Sequence, residues 1–441
     1  MNLQSKHASL SQRIGLGILN GLAGLFVLLI VGSIQGVKSI QLGLIPTKLF
    51  GVSVSMVSTM IMVTSIITLT ISPLAGFLSD LFGRRKFVLI GLAVTLLGVI
   101  LLTTSRTYII FLISTLTIAL GTALALSPAT ALFLESGWFI WITGTLLAFI
   151  NLTESLSSTL ATTLAGRFSY SFSDLKITGF ILIGIVITFS LLVIGLYWGS
   201  ISLSKRCTWS GIWLKPQRGK LFNLIVPVML LAYFFSFASS GIYRSFSSLY
   251  YSSLLGISAV NIASTFLAFS IASMIAGFIS GPVGDLFNWL SIKHLHRQAG
   301  YLVIVLLGML IFLAGYILLP LLGRSPLIGI ILVGAGIGLY STSLRALVIV
   351  NISHRWWGVI VGGLTSISIA ANMSARLLGG IFVESFGIQR LFTPAIIILV
   401  ISILLTLVIM VLSFLPSGKL VTPPPVDQEK QGKSLEFINQ S

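Results

Sequence analysis

The sequence predicts an all-α polytopic membrane protein of twelve transmembrane helices, arranged as two pseudo-symmetric six-helix bundles. Hydrophobic residues make up 56% of the 441 residues and charged residues 8%, which leaves too few polar side chains to cover a water-soluble fold of this size. Apolar runs of about 20 residues, the length that crosses a hydrocarbon core as a helix, recur from Ile14 to Pro416. Short sequence patterns also repeat between the two halves.

The apolar runs give the helices in order. Transmembrane β-strands need about 10 residues that alternate apolar and polar, and no such period is present, so helices remain as the way to satisfy the backbone in lipid. The first run follows Lys6 and Arg13 but is long, Gly-rich and without a convincing cleavage site, which favours a membrane helix over a secretory signal. The predicted spans are 14–37, 51–80, 87–105, 107–134, 138–166, 177–200, 221–250, 257–283, 299–321, 326–350, 357–384 and 391–415.

Basic residues predict the orientation of these helices. With the N-terminus inside, the cytoplasmic segments hold more than twice as many Lys and Arg residues as the external ones, so both termini are expected in the cytoplasm, with the chain in the cell membrane. The net charge of +17 is scattered through short loops and does not indicate a nucleic-acid surface. Cys207 is the single cysteine, and the four histidines lie in predicted cytoplasmic segments. No disulfide, metal site or cofactor is therefore expected.

The two halves are related by short repeats. Residues 76–82 at the end of helix 2 match residues 281–287 at the end of helix 8, and further on Gly121 matches Gly336 at an offset that is larger because of extra residues at 288–298. Two related halves are typical of transporters with a central site. The predicted divisions are a cytoplasmic N-terminal segment (1–13), an N-terminal bundle (14–200), a basic cytoplasmic linker (201–220), a C-terminal bundle (221–416) and a disordered cytoplasmic tail (417–441).

The segment GFLSDLFGRRK at 76–86, between helices 2 and 3, resembles the hallmark loop of the major facilitator superfamily. Gly76 permits close helix approach and Gly83 a tight turn. The resemblance implies a cytoplasmic latch, in which Asp80 contacts the start of helix 11 near Trp357 and Gly358, and Arg84 pairs with Glu135. The alternative is that the basic residues only hold the topology. The residues assigned to the latch are Gly76, Asp80, Gly83, Arg84, Arg85, Glu135 and Asp285.

The motif departs from the family pattern in ways that bear on function. Leu81 stands where the family often has Arg, and the second copy keeps Gly281 and Asp285 but loses the Gly-Arg-Lys end. Helix 4 carries Thr117 where the family's proton-coupled drug exporters usually have Arg. The resemblance therefore gives little support to drug–proton antiport.

A polar stripe on helix 5 indicates a central site. Glu154 lies near the middle of the membrane, where a charge costs about 2.5–3.5 kcal/mol and needs water, a partner or a proton. Asn151, Glu154, Ser158 and Thr162 share one helix face. A shift of 214 residues gives a second stripe on helix 11: Thr365, Ser368, Asn372 and Arg376.

These stripes and the other intramembrane arginines are the candidate substrate or proton site. Its members are Asn151, Glu154, Asn372, Arg376, Arg345 and Arg244. The alternative is that the polar side chains hold neighbouring helices together and each charge is paired structurally. Three arginines against one glutamate favour an anionic or zwitterionic substrate, which would bind beside that excess of positive charge.

The sequence therefore predicts a secondary active transporter that moves a small solute by alternating access, with H⁺ as a candidate coupling ion. A monomer in the lipid bilayer is expected. An enzyme is not expected, because no nucleotide-binding loop and no His, Asp or Cys cluster at a membrane face is present. A transporter-like sensor or assembly factor that binds a ligand without net flux is the alternative.

Overall fold

The computed structural model describes residues 10–136, 142–167, 172–204, 222–256, 259–295, 300–322, 326–352 and 356–414. These residues form twelve long helices and no strand. A short 3₁₀ turn, Ile388–Arg390, precedes the last helix. The helices are α1 (Leu10–Phe50), α2 (Val54–Phe82), α3 (Arg84–Thr104), α4 (Tyr108–Ser136), α5 (Thr143–Arg167), α6 (Phe172–Ser204), α7 (Phe222–Ser253), α8 (Ala259–Leu295), α9 (Gly300–Leu321), α10 (Leu327–Val350), α11 (Trp357–Phe386) and α12 (Phe392–Phe414).

Eleven helices in the described part of the chain are long and apolar enough to cross a membrane. The exception is α5, because its middle carries polar side chains that include Asn151, Thr153 and Glu154. α5 packs against α1, α8 and α10, so it has protein on several sides. A polar helix is tolerated at membrane depth when its polar side chains lie against protein or a water-filled cavity.

Two helices extend well beyond their predicted spans. α1 continues to Phe50, past the predicted end at 37, and α8 continues to Leu295, through much of the predicted loop insertion at 288–298. Hydropathy locates only the stretch that matches the hydrocarbon core. A helix satisfies its own backbone hydrogen bonds both inside and outside the hydrocarbon core. Both helices therefore continue through polar residues beyond the stretch that hydropathy detects.

The helices form two bundles of six. In the N-terminal bundle α3 packs on α4, and α1 contacts α4, α5 and α6; in the C-terminal bundle α10 packs on α8 and α9, and α7 contacts α11 and α12. Between the bundles, α2 lies against α11, and α5 lies against α8 and α10. We call the end of the bundles that holds Asp80 and Asp285 the inner end, which the charge distribution predicts to be cytoplasmic.

Candidate functional site

An ion network at the inner end joins α2, α3, α4 and α11. Arg84 Nη2 lies 2.7 Å from Asp80 Oδ1, and Arg84 Nη1 lies 2.6 Å from Glu135 Oε1. The other carboxylate oxygen of Asp80 accepts a hydrogen bond of 3.0 Å from the amide of Val359, in the first turn of α11. We call this group, Asp80, Arg84, Glu135 and the start of α11, the first latch.

The charges of the first latch are compensated by fixed partners. The side chain of Asp80 is only 1% exposed, and a carboxylate so buried requires a cation or donors. Arg84 supplies the cation, and the amide of Val359, in the first turn of α11, supplies a donor at the positive end of the helix dipole. The network therefore ties the N-terminal bundle to the C-terminal bundle through one carboxylate.

Glycines bring the two helices close enough for this contact. Gly76 of α2 and Gly358 of α11 touch through their backbones, and a Cβ on Gly358 would lie 2.6 Å from Asp80 Oδ1 and 2.8 Å from the Gly76 carbonyl oxygen. Gly83, between α2 and α3, has φ of 106°, which L side chains rarely adopt. The contact between α2 and α11 continues away from the inner end, where Ser366 donates to the Leu69 carbonyl at 2.6 Å.

Arg85 lies outside the ion pairs of the first latch. Its Nη2 donates to Asn20 Oδ1 at 3.0 Å, and its guanidinium lies 5.6 Å from the ring centre of Tyr197. Arg85 therefore joins α3 to α1 and α6 within the N-terminal bundle. This position fits a structural role better than a contact between the bundles.

A second latch repeats this arrangement between α8 and α5. Asp285 accepts hydrogen bonds from the amides of Gly144 (2.9 Å) and Thr145 (2.7 Å) and from the Thr145 hydroxyl (2.6 Å). The hydroxyl of Tyr301 on α9 also donates to Asp285. Gly281 and Gly144 touch through their backbones, as the glycines of the first latch do.

The two latches differ in what neutralises the carboxylate. The second copy lacks the Gly-Arg-Lys end of the motif, and in the described residues Asp285 forms no ion pair. Four hydrogen-bond donors take the place of the arginine: two amides at the start of α5 and two hydroxyl groups. Donors of this kind stabilise an ionised carboxylate at a helix N-terminus. The two bundles thus hold each other through two related contacts of unequal charge.

Gly358→Ala is expected to lower the melting temperature of the protein in detergent more than Gly363→Ala does. The new methyl of Gly358→Ala would meet Asp80 and the Gly76 backbone, whereas a Cβ on Gly363 of the same helix meets nothing within 4 Å. Overpacking of a close contact costs about 1–3 kcal/mol. Melting curves of the two variants that coincide would show that the approach of α2 and α11 does not require glycine.

Further from the inner end, Arg345 of α10 joins the two bundles. Its Nη1 donates to Asn151 Oδ1 at 3.1 Å and its Nε to the Tyr233 hydroxyl at 3.1 Å, and its guanidinium lies 5.9 Å from the ring centre of Phe237. Asn151 in turn donates to Thr342 Oγ1 at 2.8 Å. The amide of Asn151 therefore lies between two side chains of α10.

Glu154 shares this region with Arg345. It lies one turn after Asn151, about 15 Å along α5 from Gly144, and Arg345 is the charged side chain that interacts electrostatically with it. The backbone of α5 at Glu154 packs against Gly32 of α1. Within the described residues the Glu154 carboxylate forms no hydrogen bond and no ion pair, so it retains its capacity to bind another group.

Arg244 of α7 is an exposed guanidinium among aromatic rings. It lies 5.6 Å from the ring centre of Phe269 on α8, and it interacts electrostatically with Tyr340, Tyr316 and Arg345. These neighbours belong to α8, α9 and α10, so the side chain is directed towards the other helices of its bundle. Arg244 therefore has Arg345 as a charged neighbour, and within the described residues it forms no ion pair with a carboxylate.

Within the described residues, the two candidates on α11 form no hydrogen bond or ion pair with Asn151, Glu154 or Arg345. Asn372 donates to the Ser368 carbonyl at 2.7 Å and packs against Gly241 of α7, a contact typical of interhelical packing. Arg376 is exposed and lies about 27 Å along α11 from Gly358. The base that interacts with Glu154 is Arg345 of α10. The repeat of the two stripes relates α5 to α11 and therefore did not point to Arg345.

Sequence reasoning did not single out Gly144 and Thr145 of the second latch, nor three further residues of these contacts. Tyr233 and Thr342 bind the Arg345–Asn151 pair, and Tyr301 binds Asp285. Each lies within an apolar stretch and carries a hydroxyl that suits interhelical packing equally well. The position of Tyr301 at the start of α9, beside the end of α8, was the one available signal.

Comparison with known proteins identifies the fold. The sequence pattern of the family described as Major Facilitator Superfamily matches residues 18–362, and a comparison with curated proteins finds no match. The structure is similar to the human organic anion transporter MFSD10 (TETRAN), with a TM-score of 0.65 and 17% identity, over 90% of this chain and 99% of that one. It is also similar to the Major Facilitator Superfamily transporter FucP in the outward conformation, with a TM-score of 0.62 and 15% identity, over 89% of this chain and 98% of that one. The predicted fold class is confirmed.

Proposed function

The chain belongs to the major facilitator superfamily and is a multi-pass membrane transporter, and we propose that it carries a small solute across the cell membrane by alternating access. In this proposal the protein acts as a monomer with both termini in the cytoplasm. The solute binds between the two bundles, beside Asn151, Glu154 and Arg345. The observation that carries the proposal is that Arg345 binds Asn151 across the two bundles, further from the inner end than the two latches that join the bundles there.

The latches support an outward-facing state. Both carboxylates bind the first turn of a helix in the opposite bundle, which holds the bundles together at the predicted cytoplasmic side. In the described residues α1 and α7 share no extensive contact. To expose the cluster to the cytoplasm, both carboxylates must release their helix amides. A rocking motion of the bundles about the central site would achieve this.

Glu154 is the group that we assign to proton coupling. It is the acidic side chain of the central cluster, and within the described residues its carboxylate has an electrostatic partner but no hydrogen bond. A carboxylate in a membrane interior alternates between charged and neutral states more readily than an arginine does. Protonation of Glu154 would free Arg345 from one of its interactions and change the charge of the cluster.

Flux in proteoliposomes tests the transport function. Purified protein is first screened by thermal shift against small organic anions, cations, sugars and amino acids, and each hit is then measured for counterflow and for uptake with and without a pH gradient. A transporter exchanges labelled hit for unlabelled hit across the vesicle membrane. Binding without exchange would instead favour the ligand sensor.

Cross-linking tests the outward-facing state. The rings of Phe77 and Trp356 stack at the inner end, with centroids 6.1 Å apart, so the double variant Phe77→Cys, Trp356→Cys in a Cys207→Ser background is expected to cross-link with a short thiol reagent. Cross-linked protein should lose flux but still bind the hit from the outer side. Ile109→Cys with Trp356→Cys is a control pair, because Ile109 is exposed and lies at the start of α4, at the opposite end of that helix from Glu135. Full flux after quantitative cross-linking would contradict alternating access.

A further inference from the structure

We infer that Arg244 holds the charged group of a monovalent anion with an apolar body, and that this anion is the transported solute. The inference rests on the proposed function, for which it names the substrate class. It depends on three observations: Arg244 and Arg345 differ in how many hydrogen bonds they donate, Arg244 is surrounded by aromatic rings, and the positive charge of Arg244 is not compensated by an ion pair within the described residues.

The two arginines differ in how far their donors are used. Arg345 donates to the Asn151 amide and the Tyr233 hydroxyl, and it interacts with Glu154. Arg244 is exposed, and among the described residues its guanidinium donates no hydrogen bond. A guanidinium carries five N–H donors in a plane that matches a carboxylate or sulfonate. Of these two arginines, Arg244 is thus the one whose donors are all available to a ligand.

The surroundings of Arg244 are apolar, although they contain several tyrosines. Phe269 lies under the guanidinium, and the hydroxyls of Tyr316 and Tyr340 donate to the backbone carbonyls of Ser239 and Ser236. These hydroxyls are therefore directed at α7 and leave the ring surfaces. A ligand whose anionic group pairs with Arg244 would have aromatic surface beside it for an apolar body.

The charges around Arg244 favour one negative charge on the ligand. Arg345 interacts with Glu154, whereas Arg244 has Arg345 as a charged neighbour and forms no ion pair within the described residues, which leaves one uncompensated positive charge. A monovalent anion neutralises it, whereas a dianion would leave an uncompensated charge inside the membrane, which is costly. A neutral ligand would leave Arg244 unpaired.

The obvious rival is that Arg244 is a structural cation held by Phe269. A cation–π contact alone is a weak interaction at an exposed site, and it leaves the N–H edges of the guanidinium unused. A structural role predicts that substitution changes the melting temperature and leaves ligand selectivity unaltered. Binding measurements therefore separate the two roles.

Isothermal titration of the full-length protein in detergent tests the inference. The probes are acetate, hexanoate, benzoate, 2-naphthoate and benzenesulfonate, with benzamide as the neutral match of benzoate and phthalate as its dianion. We expect affinity to rise with apolar size, and benzamide and phthalate to bind at least tenfold more weakly than benzoate. Arg244→Gln should weaken binding of the best monovalent probe at least tenfold, since a charge-assisted hydrogen bond is lost.

Matched variants keep the test decisive. Arg244→Lys should retain part of the affinity, and Arg106→Gln, which removes an exposed arginine outside the cluster, should bind as the unmodified protein does. Absence of binding by every monovalent probe, equal binding of benzamide and benzoate, or full affinity in a folded Arg244→Gln protein would overturn the inference. Binding that is never accompanied by flux would instead overturn the proposed transport function and leave the anion site in place.

Discussion

Arg84→Gln is expected to reduce uptake of the tightest-binding monovalent probe into proteoliposomes at least tenfold. Arg84 is the cation between Asp80 and Glu135, so its removal leaves two neighbouring carboxylates at the inner end without a counter-charge. Loss of one partner from a buried pair costs about 3–5 kcal/mol. The cost here is smaller because the side chain of Glu135 is 37% exposed and solvent screens it. The closed inner end, and with it the outward-facing state, should become less populated.

Two further variants isolate the charge effect. Lys86→Gln removes an exposed cation of the same loop and should transport as the unmodified protein does. In Arg84→Gln, Glu135→Gln one of the two unpaired carboxylates is gone, so flux should recover relative to Arg84→Gln alone, and the double-mutant cycle gives the coupling energy. Equal flux in Arg84→Gln and Lys86→Gln would show that the basic residues serve topology and not a latch.

The inner end was the more predictable part of the site. The resemblance of residues 76–86 to the hallmark loop implies that Asp80 contacts the start of helix 11, and the sequence repeats Gly76 and Asp80 as Gly281 and Asp285. The structure places Asp80 against Val359 and Asp285 against Gly144 and Thr145. The offset that relates the two glycine–aspartate segments is present in the sequence itself.

The central cluster could not be derived in the same way. The stripe on α5 located Glu154, but its repeat pointed to Arg376, whereas the interacting base is Arg345 on α10. A repeat relates equivalent positions of the two halves, and the electrostatic interaction between Glu154 and Arg345 relates positions that are not equivalent. Which side chains of non-equivalent helices meet depends on helix rotation and tilt, and these are fixed by packing.

Glu154→Gln is expected to abolish the stimulation of anion uptake by a pH gradient while it preserves counterflow. Arg345 of α10 is the charged side chain that interacts with Glu154, and α1, which packs against Glu154 at Gly32, carries no ionisable residue from Gly17 to Val37. Protonation of Glu154 would remove the negative charge that interacts with Arg345. It would thereby favour an anion, and the bound anion would favour the proton by the same factor.

The pH dependence of binding follows from this reciprocity. In the unmodified protein, affinity for the monovalent probe should fall as pH rises through the titration of Glu154. In Glu154→Gln the side chain is neutral throughout, so affinity should be independent of pH over that range and no weaker than that of the unmodified protein at low pH. Glu384→Gln, at an exposed position near the end of α11, is the matched control and should keep the pH dependence. If Glu154→Gln retained proton-driven accumulation, the coupling proton would have to bind at another residue. Glu154 would then influence the affinity for the anion without coupling anion movement to the proton gradient.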